Sequence, residues 1–88
     1  MIKVGIVCGG PSSEHEISCI SASGILASID RSKYQPVLVG ITRSGKWVLP
    51  GENYPLKLEA NKLPEISEDL PITNIKDLDV DLLFPVLH

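Results

Sequence analysis

The stretch Ile2-Lys-Val-Gly-Ile-Val-Cys-Gly-Gly-Pro-Ser-Ser-Glu-His-Glu-Ile-Ser18 decides the fold. Its opening, Ile2 to Cys8, is short, rich in β-branched side chains and closed by Gly9-Gly10. That is the pattern of a strand buried on both faces of a parallel sheet, and a central position is expected for it. Ser13 followed three residues later by Glu16 spells a capping box ahead of an apolar run, so a helix is expected to begin near Glu14 and reach about Ile29. Within it Ile17, Ile20, Ile25, Leu26 and Ile29 stand among small residues such as Ser18, Cys19, Ala22 and Gly24. Such a helix can lie close against a sheet, but its apolar positions spread too widely for one narrow stripe. A second packed face, such as a subunit contact, would account for that spread.

Downstream, Asp30-Arg-Ser-Lys33 carries polar turn chemistry, and Tyr34-Gln-Pro-Val-Leu-Val-Gly-Ile-Thr42 reads as another strand. Pro36 falls near its start, where a missing N–H is tolerated. Strand, helix and strand then form one unit with parallel strands and a right-handed crossover. Ser44-Gly45 marks a turn before Trp47-Val48-Leu49, which predicts a short hairpin-like extension. Between residues 50 and 79 Pro50, Pro55, Pro64 and Pro71 interrupt every periodic pattern, so surface connections with short pieces of structure are expected there. Val80-Asp-Leu-Leu-Phe-Pro-Val-Leu87 is consistent with a further sheet strand that delivers His88 at its carboxyl end.

A chain of 88 residues is one small domain, since folding at this size buries only ~60% of the surface the unfolded chain exposes. Hydrophobic residues at 43% and charged residues at 22% argue for a globular chain rather than a disordered one. A net charge of −3 provides no basic field to attract nucleic acid, which excludes that partner class. Cys8 and Cys19 have neither disulfide-framework nor metal-site spacing and read as reduced, mostly buried thiols. The apolar opening contains Lys3 and stops at Gly9, too short for a signal-peptide core or a membrane span. The expectation is a cytoplasmic protein without a membrane partner.

Ligands of open α/β sheets gather outside the carboxyl ends of the strands, where loops lead into helix N-termini. Two places fit: the loop from Gly9 to Glu16, and His88. The loop is not a dinucleotide fingerprint, because Pro11 takes the place of the second glycine, and it lacks the Gly-Lys-Ser/Thr ending of a P-loop. It carries Glu14 and Glu16 on either side of His15. Glu16 has a structural task in the capping box, whereas Glu14 is free either to compensate the helix dipole or to bind a substrate ammonium through a charge-assisted hydrogen bond. His15 reads as a solvated or supporting side chain beside the cap, with no further metal ligands near it in sequence. His88 is placed to orient a substrate or support a catalytic group, or is simply a terminal residue.

Val4 to Ser18 also resembles the opening signature of D-alanine–D-alanine ligases, in which a short strand runs into Gly-Gly-x-Ser-x-Glu-x-Glu-[aliphatic]-Ser. Gly40-Ile-Thr-Arg-Ser-Gly-Lys-Trp47 resembles that family's second strand and hairpin, and Asp81-Leu-Leu-Phe-Pro-Val-Leu-His88 the strand entering its next substrate segment. The resemblance implies a three-layer α/β domain with a mainly parallel sheet, Rossmann-like and of the pre-ATP-grasp type. It also implies an ATP-dependent ligase that phosphorylates the carboxylate of one D-alanine, whose acyl phosphate is attacked by the amine of a second. The product serves peptidoglycan synthesis.

Carried over residue by residue, Glu14 holds the ammonium of the first D-alanine and contributes to catalysis by orienting it. His88 lies beside the same substrate, and Ile17 and Ser18 shape its pocket. Residues 1–88 then form the N-terminal substrate domain. ATP and Mg2+ (or Mn2+) belong to central and C-terminal domains beyond it, so no cofactor or metal is expected on this chain, and no ligase activity from it in isolation. The implied partners are D-alanine, the remaining ligase domains and a second copy in a homodimer. Pro11 departs from the polar or basic residue usual at its position, and the sequence ends before the family's Gly-x-x-Gly-Glu-Asp-Gly segment. The alternatives are a D-alanine–D-lactate ligase domain, a stand-alone Rossmann-like or flavodoxin-like binding module, and a structural fragment that only dimerises.

Overall fold

A computed structural model describes residues 1–51, 54, 56 and 63–86. Strand β1 spans Ile2–Gly9, helix α1 His15–Ser28, β2 Tyr34–Ile41, β3 Trp47–Val48 and β4 Leu82–Pro85, with a short 3-10 helix at Ile75–Asp77. One sheet holds the strands in the order β3-β2-β1-β4. β1 pairs in parallel with β2, from Ile2 opposite Tyr34 to Gly9 opposite Ile41, and in parallel with β4, from Val4 opposite Leu82 to Val7 opposite Pro85. β3 closes the far edge antiparallel to β2, with Gly40 opposite Val48. The central place of β1, the parallel pairing through α1 and the hairpin are therefore as the sequence leads one to expect.

The alternation of side chains along β1 and β2 builds two cores back to back. Val4, Ile6 and Cys8 of β1 and Leu38 of β2 face α1, where they meet Cys19 and Ala22. Val7, Val39 and Ile41 face the other way and pack with Val37, Trp47 and Leu78. Burying a side chain of the size of Ile6 or Val39 stabilises by about 1.5–3 kcal/mol, so β1 and β2 dominate the energetics. The layers are thus α1, the sheet, and an irregular third layer from the chain around the 3-10 helix, in place of a second α-helix among the described residues.

Of the residues described between 50 and 79 most are exposed, with short pieces of structure as expected, but the segment also carries buried anchors. Leu56 and Ile66 are buried in the core beneath α1, and Ile72 forms a bridge to Val48. Ile66 fits because Gly40 has no side chain: a Cβ there would stand 2.8 Å from Ile66 Cγ2. At the other edge β4 is exposed along its length, Leu82, Leu83 and Phe84 being 55%, 45% and 53% exposed.

Cys8 and Cys19 are free and buried, one on the sheet and one on the helix facing it. A hydrogen bond between the two thiols and burial push the Cys8 thiol far up from its ordinary range. On the outer side of α1, Ile17 and Ile20 remain exposed, and among the described residues no heavy atom beyond the helix's own neighbourhood lies within 4 Å of where a Gly24 Cβ would stand. Gly24→Ala is therefore expected to stabilise the domain by about 0.5–1 kcal/mol, the backbone entropy that glycine loses in a helix interior. A rise in the urea midpoint checks this, and an unchanged or lower midpoint would mean that this helix face is covered.

Candidate functional site

β1 ends in a sharp exit. Gly9 and Gly10 have φ of 93° and 99°, and the Gly10 N–H donates to Ile41 O at 2.8 Å. The chain then rises through exposed Pro11, Ser12 and Ser13 and re-enters at α1. The capping box predicted from Ser13 and Glu16 does not form. Glu14 is the N-cap residue and makes no side-chain cap bond, while Glu16 is drawn to Arg43 of the β2–β3 turn. The local turn is made by Ser12, whose hydroxyl accepts from Glu14 N at 3.1 Å and whose carbonyl accepts from His15 N at 3.3 Å. The expected helix start is nevertheless correct, because Ser12 meets the same need for partners at the first turn.

Carboxylates at this end of the sheet fall into two groups. Glu16 and Glu65 share Arg43, the second at 3.5 Å. Glu68 accepts from the N–H of Ser44 at 3.0 Å and from its hydroxyl at 2.7 Å. The Glu16 carboxyl is held below its usual range by its own backbone N–H and then by Arg43, and Glu68 likewise by Ser44. Glu14 is half-buried, and its carboxylate has no hydrogen-bond or ion-pair partner among the described residues. An anionic group left uncommitted at the carboxyl end of the central strand can bind a cationic ligand without first breaking an internal pair.

The other predicted site residues divide around Glu14. Ile17, three residues along the helix and 50% exposed, stands on the same side as Glu14. Ser18 is fully buried beneath them. Its hydroxyl accepts from Gly9 N at 2.9 Å and donates to Val86 O. Ser18 therefore joins β1, α1 and the chain leading away from β4, and acts on any pocket through the backbone that it holds. His88 lies outside the described residues.

Of the two readings of His15, solvated or supporting, the structure rejects the first and bears out the second: the ring is fully buried, with Nδ1 2.8 Å from Gly10 O and Nε2 accepting from Ile66 N at 2.9 Å. The sequence reading missed Ile66 and Arg43. Both act through contacts with partners more than twenty residues away, and no spacing near the loop announces them.

The loop does not fit a phosphate cradle. The N–H groups of Gly9, Gly10, Glu14 and His15 are already bonded within the chain. Among the described residues no group of three His, Cys, Asp or Glu side chains could hold a metal ion. No step through ATP or Mg2+ is therefore derived from these residues. Among the described residues no helix is long and apolar enough to cross a membrane.

The site is thus a half-buried glutamate on the turn from a central parallel strand into a helix, inside a Gly-Gly-x-Ser-x-Glu-x-Glu frame. The family model described as D-ala D-ala ligase N-terminus matches residues 3–88. The chain belongs to that family. It is 33% identical over 106 aligned residues to the D-alanine--D-alanine ligase of Arthrobacter sp. (strain FB24), the alignment covering 98% of this chain and 28% of that one. It is 40% identical over 82 residues to the enzyme of the same name from Kineococcus radiotolerans, covering 92% of this chain and 22% of the relative. Among solved structures it is similar to the VanG D-Ala:D-Ser ligase of Enterococcus faecalis, with a TM-score of 0.66 and 31% identity over 99% of this chain and 29% of that one. This member of the D-alanine ligase N-terminal family thus spans roughly a quarter of the length of these relatives.

Proposed function

We propose that residues 1–88 are the N-terminal substrate domain of an ATP-dependent ligase that joins two D-alanines through an acyl phosphate for peptidoglycan synthesis. The observation that carries this reading is the uncommitted, half-buried Glu14 on the turn between β1 and α1, in a chain matched by the family model along nearly its whole length. Glu14 receives the ammonium of the first D-alanine and so fixes how its carboxylate is presented for phosphorylation. Ile17 forms an apolar wall beside it, Ser18 holds Gly9 and Val86 under the pocket, and His88 orients the same substrate.

ATP and Mg2+ are supplied by central and C-terminal domains, and their chemistry when bound is activation of the carboxylate. The exposed apolar edge at Leu82, Leu83 and Phe84 supports further polypeptide packing against β4. Ile17 and Ile20 on the outer face of α1 support a homodimer. The setting is the cytoplasm. A relative of similar fold is named for D-serine, and a D-lactate acceptor is the further alternative.

The intact ligase, with the remaining domains in cis or in trans, should release phosphate from ATP when given D-alanine, and the 88-residue chain alone should not. Absence of D-alanine-dependent phosphate release from the intact protein would remove the reading. Tight nucleotide binding by the 88-residue chain would favour a stand-alone binding module.

A further inference from the structure

His15 is among the largest side chains in this chain that are fully buried, and its hydrogen bonds define its state. The Gly10 carbonyl at 2.8 Å has no proton to give, so Nδ1 must carry one. The Ile66 N–H at 2.9 Å has no free lone pair, so Nε2 must be bare. The ring is the neutral Nδ1–H tautomer. Both polar groups of Gly10 are thereby tied, its N–H to Ile41 O at 2.8 Å and its carbonyl to His15. This closes a loop from Gly10 to His15 that spans Pro11, Ser12, Ser13 and Glu14.

The far side of the ring is equally fixed. Ile66 sits against Gly40, Glu65 reaches Arg43, and Glu68 holds Ser44. A rigid path therefore runs from the β2–β3 turn through residues 65–68 and the imidazole to the loop that presents Glu14.

We propose that His15, as the neutral Nδ1–H tautomer, is a positioning residue that holds the Gly10–Glu14 loop in the shape that lets Glu14 grip the substrate ammonium. The inference rests on the substrate role of Glu14 proposed above. It gives the two ring nitrogens different tasks, and two substitutions separate them. In His15→Asn the amide nitrogen can take the place of Nδ1 and keep the bond to Gly10 O, while the short side chain cannot reach Ile66. In His15→Gln the side-chain oxygen can take the place of Nε2 and keep the bond from Ile66 N–H, while the tether to Gly10 is lost.

In the intact ligase His15→Gln is expected to lower kcat/KM for the first D-alanine by about 10- to 100-fold, the scale of a misplaced binding group. His15→Asn should stay within about threefold of the parent, because the loop bond survives. Equal kcat/KM losses in the two variants, or none in either, would overturn the proposal. Imidazole nitrogen NMR of the parent 88-residue chain gives a reading that does not depend on either variant folding: a protonated Nδ1 and a bare Nε2 at residue 15 support it, and an Nε2–H tautomer or an imidazolium at neutral pH overturns it. That result leaves the role of Glu14 untouched, whereas normal kinetics in Glu14→Gln would remove the Glu14 role and, with it, the substrate half of this proposal.

Discussion

Gly9→Ala is expected to cost this domain about 3 kcal/mol or more, the sum of a left-handed backbone and an overpacked site. Gly9 has φ +93, a region in which an L side chain is strained wherever it occurs. Its surroundings add to this. A Cβ would stand 2.3 Å from the backbone oxygen of Ile41 and 3.1 Å from both His15 Cε1 and Ile66 Cγ1. The Ile41 oxygen cannot swing aside, because it accepts the Gly10 N–H at 2.8 Å and β2 is paired there to β1. Total stability of such a domain is of the order of 5–15 kcal/mol, so this one methyl group removes a large fraction of it. Gly45→Ala provides the comparison: φ is +91 but no atom of the described residues lies within 4 Å of the added Cβ, so only the backbone cost of about 1–2 kcal/mol is expected. Urea unfolding followed by the fluorescence of Trp47 reports both. Equal losses at the two glycines would mean that the exit from β1 is looser than described.

The same loop shows why part of this molecule can be read from its sequence and part cannot. β1, α1 and β2 are legible because their signals are local: β-branched residues, a Gly-Gly stop, and an apolar helix with small residues. β3 follows from Ser44-Gly45, since Thr42 N donates to Lys46 O at 2.8 Å across that turn. The capping box shows the limit of local reading. Ser13 and Glu16 have the right spacing, but Arg43 lies across the turn and a guanidinium attracts the Glu16 carboxylate more strongly than a neutral backbone N–H does.

Residues 63 to 70 are illegible for the same reason. Ile66 is a core residue only because Gly40 leaves room for it and His15 takes its N–H, and neither fact is visible in the surrounding prolines. Glu14 stood out because the resemblance pointed to it; spacing alone left it balanced between the helix dipole and a ligand. What the fold adds is that Glu16, Glu65 and Glu68 are committed, whereas Glu14 has no partner among the described residues.

That balance can be decided by experiment, because the two roles of Glu14 predict opposite pairs of results. Removing a charge-assisted hydrogen bond to a ligand costs about 1.5–3 kcal/mol, so Glu14→Gln in the intact ligase should lower kcat/KM for the first D-alanine by roughly 10- to 150-fold. Its effect on folding should be small, since the carboxylate has no partner among the described residues and an anion at a helix N-terminus contributes only about 0.3–1 kcal/mol. Glu16→Gln should behave in the reverse way: Arg43 loses one of its two carboxylates, the tie between α1 and the β2–β3 turn weakens, and the urea midpoint falls while the first substrate is still gripped. If Glu14 served only the helix dipole, Glu14→Gln would lower stability slightly and leave kcat/KM unchanged. A variant that folds like the parent and handles D-alanine poorly requires instead that the free carboxylate at the end of β1 meets the substrate. The shape of the loop is set by groups that this substitution does not touch: the Ser18 hydroxyl on Gly9, the Ile41 oxygen on Gly10 and the His15 ring below. A loss of activity in Glu14→Gln therefore reports the missing charge rather than a moved backbone.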